Sequence, residues 1–480
     1  MKQVILVADF GTSNVRVNAV DIEDGSILYT HSMSYPMISP VSNFCELDAE
    51  NMWENSVICM QSAVSQIKGK AEIRAVSFSF IGDCLIPVDK NGDVLHNLIL
   101  CFDARGEEQA RRIDEHFGMK WQMDNLFAPC GYYCTSAKIL WIKENMPDIF
   151  RHAKYFDTIQ QFVFRKLGLP AVNDETMAGR KLMYAYEKGI WAKELLDFIG
   201  ISEEQLGSVV GTGDIVGSVK RYGTVEFETT VPVIAGGHDC DVGLLGTGAT
   251  SYHPDILGEI TGTYDHMGYI YNESLAGGQI DRQCRAGCGP LRGSYEVMDA
   301  FSTSGAAVNW FMKQLVGDTS PESFDFLWEN VRFNGENPVS FFPRMDNNQG
   351  SICGIGLSTT KQNLFEALIE SLTYEVRHMA EFCSRSRRQK FQTVRIGGGA
   401  AKSSQWNQLR ADMTGMRYER LATCEVSSLG AAVLAAMSTG CYETEKEAIE
   451  RMVQIRDIFE PRKEVYLKYD ALYKKYLESR

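Results

Sequence analysis

Val4-Ile5-Leu6-Val7-Ala8-Asp9-Phe10-Gly11-Thr12-Ser13-Asn14-Val15-Arg16 is the stretch on which the reading of this 480-residue chain turns. Val4 to Ala8 has the length and composition of a buried strand, and Val15 to Val20 alternates as a second strand would. A strand, a tight turn tipped by Gly11, Thr12 and Ser13, and a returning strand leave backbone N–H groups and two hydroxyls aimed at one spot. That arrangement suits an anion such as a phosphate, and Arg16 adds positive charge. Alone, the pattern equally describes an ordinary β-hairpin with a polar turn. Its weight comes from partners further along.

Length and composition bound the answer. A chain of this length exceeds one core, so two large domains are expected. The net charge of −14 argues against nucleic acid or an anionic membrane as the main partner. Any phosphate site must therefore be made from backbone amides and a few basic residues. The 13 cysteines are scattered and odd in number, without a CxxC pair, and read as reduced thiols of a cytoplasmic protein with no structural zinc. Asp9 interrupts the first apolar run too early for a signal peptide. No stretch approaches the roughly 20 apolar residues needed to span a bilayer.

The first thirty residues read as three strands, with Glu23-Asp24-Gly25 as the second turn. Asp48 is placed to cap a helix whose apolar face is Trp53, Val57, Met60, Val64 and Ile67. A strand, Ile73 to Ser79, leads into Phe80-Ile81-Gly82-Asp83. Pro87 to Leu95 reads as a hairpin with an Asn-Gly turn. Helical patterns dominate from Thr135 to Phe198. Val231 to Ala235 reads as a buried strand that runs into Gly236-Gly237-His238-Asp239. Ile256 to Ile270 is another hairpin, with Thr261-Gly262-Thr263 at its turn. A strand–turn–strand with a Gly-Thr tip thus stands near the start of each half, which hints at two related α/β domains, 1–246 and 247–480. The second half holds helical patterns at about 304–315, 361–384, 405–414 and 428–438. Gly397-Gly398-Gly399-Ala400 follows the strand Thr393 to Ile396, and the lysine-rich tail 463–480 reads as a solvated helix.

Three Gly/Thr/Ser turns at strand ends can together hold a nucleoside triphosphate, the first two on phosphates and the third, near Gly399 to Ser403, on the adenosine end. None has the GxxxxGK[ST] pattern or the dinucleotide GxGxxG spacing. Asp239, between His238 and Cys240 after a glycine pair, is the candidate base for the proton of a phosphoryl acceptor alcohol. An aspartate there also suits a plain turn cap. Asp83 and Asp103, each past a strand where an α/β sheet usually holds ligands, can accept hydrogen bonds from sugar hydroxyls. As loop acids they also suit solvent. His238 can orient Asp239 or be a structural histidine.

Jointly these residues resemble the FGGY family of carbohydrate kinases, within the actin-like ATPase superfamily, over nearly the whole chain. Tyr133 to Asn145, with its aromatic, Thr135, Lys138, Trp141 and acid–amide end, resembles the family's first signature. Gly350 to Glu370 resembles the second, departing at Leu368. Gly397 to Ala400 with Trp406, Asp412 and Gly415 resembles the adenosine segment, and Ser428 to Ala432 the helix after it. The resemblance implies two ribonuclease-H-like α/β domains with an active-site cleft between them, ATP and Mg²⁺. It assigns Asp239 as catalytic base. Asp83, Tyr133, Asp103, Arg105 and His238 are its substrate contacts. Gly11, Thr12, Ser13 and Arg16 form its first phosphate loop, and Thr263 its second. Gly305, Asn309, Gly399, Ala400 and Ser403 contact the nucleotide, and Asp9 holds the metal through water.

For the acceptor, Met1 to Val7, Thr176-Met177-Ala178-Gly179 and Ala235 to Asp239 resemble the L-fuculose kinase branch most, with rhamnulose kinases second. Xylulose kinases carry a Gln-Met-His run and a Trp-x-Asp segment where this chain has Ile81-Gly82-Asp83 and Cys101-Phe102-Asp103. The expectation is an ATP-dependent kinase of a ketose's terminal hydroxyl, L-fuculose first. L-rhamnulose, xylulose, ribulose, gluconate, a furanone signal or a non-catalytic sensor are the alternatives. A small-molecule sugar is the expected partner, and a homodimer is a family expectation.

Overall fold

The computed structural model describes residues 1–272, 286–344, 350–388 and 390–479. They form two compact units: residues 1–246, 271–296 and 427–453 make the first, and residues 247–270, 297–426 and 454–480 the second. The chain thus crosses into the second unit after Gly246 and twice returns to the first.

In the first unit, β1 (Lys2–Phe10), β2 (Asn14–Asp21) and β3 (Ile27–Ser34) form an antiparallel meander. β1 is buried from Val4 onward on both faces, which is why its sequence runs apolar instead of alternating. β4 (Ala71–Phe80) lies parallel to β1, and β5 (Ile215–Tyr222) and β6 (Val225–Ile234) complete the order β5-β6-β4-β1-β2-β3. Helix α1 (Ala49–Ile67) starts where expected, the Asp48 carboxylate accepting the Glu50 and Asn51 N–H groups, and buries Trp53, Met60 and Ile67. Phe10, Phe78, Phe80 and Tyr222 stack in the core, with Phe164 edge-on to Phe78 and Phe80.

A further two-residue strand, β7 (Gly237–His238), lies parallel to β4. Gly236 makes this possible: a Cβ there would sit 1.8 Å from the Phe78 carbonyl oxygen, so only glycine lets the two backbones approach. The helix Val426–Ser438 packs behind, Ser428 Oγ accepting from Asn18 Nδ2 at 2.8 Å and the Ala431 carbonyl from Ser77 Oγ at 2.9 Å. The expected hairpin at 87–95 shrinks to a tight turn, because Ile86–Val88 takes Tyr155–Asp157 as its ladder partner.

The second unit repeats the hairpin theme. β8 (Ile256–Thr261) and β9 (Asp265–Tyr271) are antiparallel; β10 (Tyr295–Phe301) lies beyond β9. β11 (Thr393–Gly398) and β12 (Arg417–Leu421) run parallel to β8, and β13 (Ile455–Phe459) closes the edge. Its aromatic core includes Phe311, Trp328, Phe365 and Trp406.

The tail departs from expectation. Lys463–Ser479 is a helix, but Tyr469, Tyr473 and Tyr476 are buried and donate to Glu370, Glu381 and Glu375. The lysines hid an aromatic stripe at helical spacing. Arg480 lies outside the described residues.

Candidate active site

The register of the first sheet brings the two ends of the expected chemistry together. Asp9 stands beside Ser79, and Ser79 beside Gly237; Phe10 stands beside Phe80, and Phe80 beside His238. β1 and β7 therefore end at the same level on either side of β4, two strand spacings or roughly 10 Å apart. The Gly11-Thr12-Ser13 turn and Asp239 leave the same sheet edge, the carboxyl end of parallel strands. The turn is clamped from behind: Tyr35 donates its hydroxyl to the Gly11 and Asn14 carbonyls, the latter at 2.8 Å, and its N–H to Ser13 O at 3.2 Å. Thr12 is half-buried, and Ser13 is exposed. Arg16 faces Asp9 across the β1–β2 ladder.

The turn after β4 carries Asp83 in a left-handed conformation, φ 52°, which is strained for a residue with a Cβ. Lys138, on the helix α2 (Thr135–Asn145), holds it there. Its fully buried ammonium donates to the Asp83 and Tyr133 carbonyls at 2.7 Å each. One cation thus ties together two residues expected at the sugar. Burial pushes the Lys138 pKa below its ordinary value, against the pull of Cys101 and Asp83. Cys101 lies within electrostatic reach of both Asp83 and Asp239.

Asp103 and Arg105 are placed otherwise than expected. Both side chains are fully buried, Arg105 bonding Asp103 at 2.8 Å and Glu46 at 2.6 Å, with Asp103 also accepting the Cys45 N–H at 2.6 Å. They brace the loop from within and present no group to a ligand. The physical reason is compensation: Arg105 reaches both Asp103 and Glu46, so the two acids are buried against a shared, hydrogen-bonded cation.

Asp239 opens helix α4 (Asp239–Gly246), with its side chain 30% exposed. Its neighbour His238 places Nε2 3.2 Å from Asp239 and Nδ1 2.9 Å from Asp241. Arg180, the last residue of helix α3 (Glu175–Arg180), bonds Asp241 and, at 2.8 Å, Glu296. The Gly82 backbone packs so tightly on this group that a Cβ there would be 2.3 Å from the His238 ring. The Thr176 hydroxyl accepts the His238 N–H at 2.9 Å.

In the second unit three glycine-bearing turns converge. At Gly398, φ is +91°, and a Cβ would lie 1.9 Å from the Thr261 carbonyl oxygen. Thr261 Oγ1 donates to Gly397 O at 2.8 Å and accepts the Ala400 N–H at 3.0 Å. The helix Ser304–Phe311 abuts the same place, Gly305 N–H reaching Gly262 O at 3.2 Å where a Cβ would be 2.3 Å away. Thr263 and Asn309 are exposed beside it. A Cβ at Gly399 would meet nothing within 4 Å, so the cradle is open on that side. Ser403 spends its hydroxyl as the cap of the helix Ser404–Thr414. Behind the turns, the fully buried Arg410 pairs with Glu259 at 2.9 Å and Asp265 at 3.4 Å, and Asp265 accepts the Ser304 hydroxyl at 2.7 Å.

Residues 4–246 match the N-terminal domain of the FGGY family of carbohydrate kinases, and residues 262–439 match its C-terminal domain. The chain belongs to the FGGY family of carbohydrate kinases. It is thus a phosphotransferase with an alcohol acceptor. It is 26% identical over 500 residues to the xylulose kinase of Bacillus subtilis, covering 99% of this chain and 96% of that one. It is 25% identical over 463 residues to the glycerol kinase of Saccharolobus islandicus, covering 92% and 89%. The crystal structure of ligand-bound xylulose kinase from Lactobacillus acidophilus superposes with a TM-score of 0.87 at 21% identity, over 100% of this chain and 98% of that one. The expected two-domain α/β fold is therefore that of FGGY kinases.

For this FGGY kinase, sequence reasoning missed the residues that support the site: Lys138 as a tether, Arg180, Asp241 and Glu296 behind His238, and Tyr35 behind the first turn. No helix among the described residues is long and apolar enough to cross a membrane. The residues present fit the groups an FGGY kinase needs. The turns are open on the Gly399 side, where a nucleotide would need room, and Asp9 at the end of β1 is a carboxylate of the kind that would hold Mg²⁺.

Proposed function

We propose that this protein transfers the γ-phosphate of ATP to the terminal hydroxyl of a ketose, with L-fuculose as the first acceptor to test. The observation that carries this reading is the shared sheet edge, which sets the Gly11-Thr12-Ser13 turn and Asp239 on either side of Phe80. The turn's backbone N–H groups and hydroxyls take phosphate oxygens, with Arg16 adding charge. Asp239 takes the alcohol proton, and Asp83 and Tyr133 orient the sugar. The 261–263, 305–309 and 397–403 turns hold the nucleotide. A bound Mg²⁺ near Asp9 would neutralise phosphate charge. Because phosphoryl transfer asks little covalent chemistry of the protein, positioning and charge neutralisation provide most of the acceleration.

The charge of the acceptor side favours a neutral polyol over a sugar acid. Asp83, Asp239 and Asp241 gather there, and the Arg180 cation is already bound to Asp241. Gluconate would add a carboxylate to that set. Among ketoses, the fuculose-like segments at 1–7, 176–179 and 235–239 place L-fuculose ahead of L-rhamnulose, xylulose and ribulose. ADP release from ATP, measured with these four ketoses, glycerol and gluconate in parallel, tests the reading. Turnover with a ketose well above gluconate supports it; ATP binding without turnover on any acceptor overturns it in favour of a sensor.

A further inference from the structure

The contacts of His238 require one proton more than a neutral ring and ionised carboxylates supply. Its Nδ1 lies 2.9 Å from Asp241 Oδ1, and its Nε2 lies 3.2 Å from Asp239 Oδ1. An ionised carboxylate only accepts, and a neutral imidazole has a single N–H. If Nδ1–H serves Asp241, a neutral ring turns a lone pair toward an Asp239 oxygen. Only an imidazolium carries an N–H on both of these nitrogens. Its surroundings are built for that state. Asp241 is 1% exposed and is bound by Arg180, which also bonds Glu296 at 2.8 Å. Glu296 has one carboxylate oxygen buried without a hydrogen-bond partner among the described residues.

Resting on the assignment of Asp239 as base, we propose that His238 is a charged positioning residue: it stays protonated between Asp241 and Asp239, donates to both, and aims the base at the acceptor hydroxyl. The Arg180–Glu296 pair is the anchor that keeps Asp241 in place beneath it. The groups facing the ring are Asp239 and Asp241 from α4, Arg180 from α3, and the Gly82 backbone, with Asp83 next along that turn. Burial alone would lower the His238 pKa, and Arg180 lowers it too; Asp241 and Asp239 together outweigh them, and the net direction is upward. Burial, with Asp241 close by, drives the Glu296 carboxyl well above the usual carboxylate range. In the reaction, the alcohol proton passes to Asp239 as the alcohol oxygen bonds to the γ-phosphorus and the bond to ADP breaks. The proton on His238 stays where it is.

The test has two readouts. In ¹⁵N spectra of the free protein, the His238 ring, assigned from its disappearance in His238→Gln, is expected as an imidazolium at pH 7; a neutral ring there overturns the proposal whatever the activity. In kinetics, His238→Gln keeps an N–H toward Asp239 but cannot titrate. It is expected to retain most of kcat and to lose the alkaline fall of the wild-type kcat profile. His238→Leu removes the donor and is expected to lose about 10- to 100-fold in kcat, the scale of one charge-assisted hydrogen bond, at unchanged nucleotide KM. Full kcat in a folded His238→Leu, or an alkaline limb surviving in His238→Gln, also overturns it. Full turnover in Asp239→Asn would instead fault the base assignment, and the ring spectrum would still judge His238.

Discussion

The proposed acceptor side in the first unit and the proposed nucleotide side in the second are built by opposite means. Around Asp83 and Asp239, charged side chains do the placing: the buried Lys138 on two carbonyls, and Arg180 on Asp241 and Glu296. Around the 261–263, 305–309 and 397–403 turns, missing side chains do it, since Gly305 and Gly398 let backbones meet where a Cβ would lie 2.3 Å and 1.9 Å from an oxygen. The difference follows from the ligands. On the proposed reading a nucleotide is the constant partner, and a backbone cradle would recognise phosphate and ribose without side-chain choice. An acceptor sugar differs from its relatives by single hydroxyls, and only oriented polar side chains discriminate at that level. Specificity can change on the first side while the second stays as it is.

The comparison breaks most decisively at Asp239. Asp239→Asn should lower kcat by about 10²- to 10⁴-fold, the usual share of a general base, while equilibrium titration finds nucleotide affinity unchanged. Next in size, Gly398→Ala forces a methyl group into the Thr261 carbonyl at a positive-φ position. It should weaken nucleotide binding by about tenfold or more, from a local strain of roughly 1–3 kcal/mol, with ketose binding little altered. A Gly398→Ala protein that loses sugar and nucleotide affinity equally would erase the distinction.

Lys138→Met sharpens the other half. It strands two buried carbonyls, a cost of about 1–3 kcal/mol per lost partner, and frees the strained Asp83 turn. Lower stability in urea with a raised ketose KM and a steady nucleotide KM is expected. Smaller still, Tyr35→Phe removes the hydroxyl behind Gly11 and Asn14, and about 1 kcal/mol should appear in ATP affinity.

The smallest effect is one of pH, away from either site. Burial raises the Glu370 carboxyl to about 7, beneath the Tyr469 hydroxyl. A carboxyl whose folded pKa lies above its unfolded value favours the fold while protonated. That contribution is full below the unfolded pKa, about 4.3, and is lost as pH rises through 7. Urea midpoints across pH 5 to 8 should fall for the wild type and flatten in Glu370→Gln.

How much of this was legible beforehand follows the same division. The strands before Asp9 and Asp239 and the glycine turns are local patterns, and all of them stand where the sequence puts them. The supports are long-range: Glu296 meets Arg180 116 residues away, and Lys138 reaches Asp83 over 55. No periodicity announces such pairs. Asp103 and Arg105 show the converse error, because an acid and a base two apart look like ligand groups until the fold turns them inward onto Glu46. Tyr469, Tyr473 and Tyr476 were legible as a stripe, but the surrounding lysines drew the reading toward solvent.

The central claim is that Asp239 and the first phosphate turn serve one reaction on a ketose. A crystal structure with a non-hydrolysable ATP analogue and L-fuculose, or the ketose the panel favours, tests it most directly. The account predicts the sugar's terminal hydroxyl within about 2.6–3.2 Å of an Asp239 carboxylate oxygen, and the γ-phosphate on the 11–13 turn. A ketose bound away from Asp239, or a γ-phosphate untouched by Thr12 and Ser13, would contradict it.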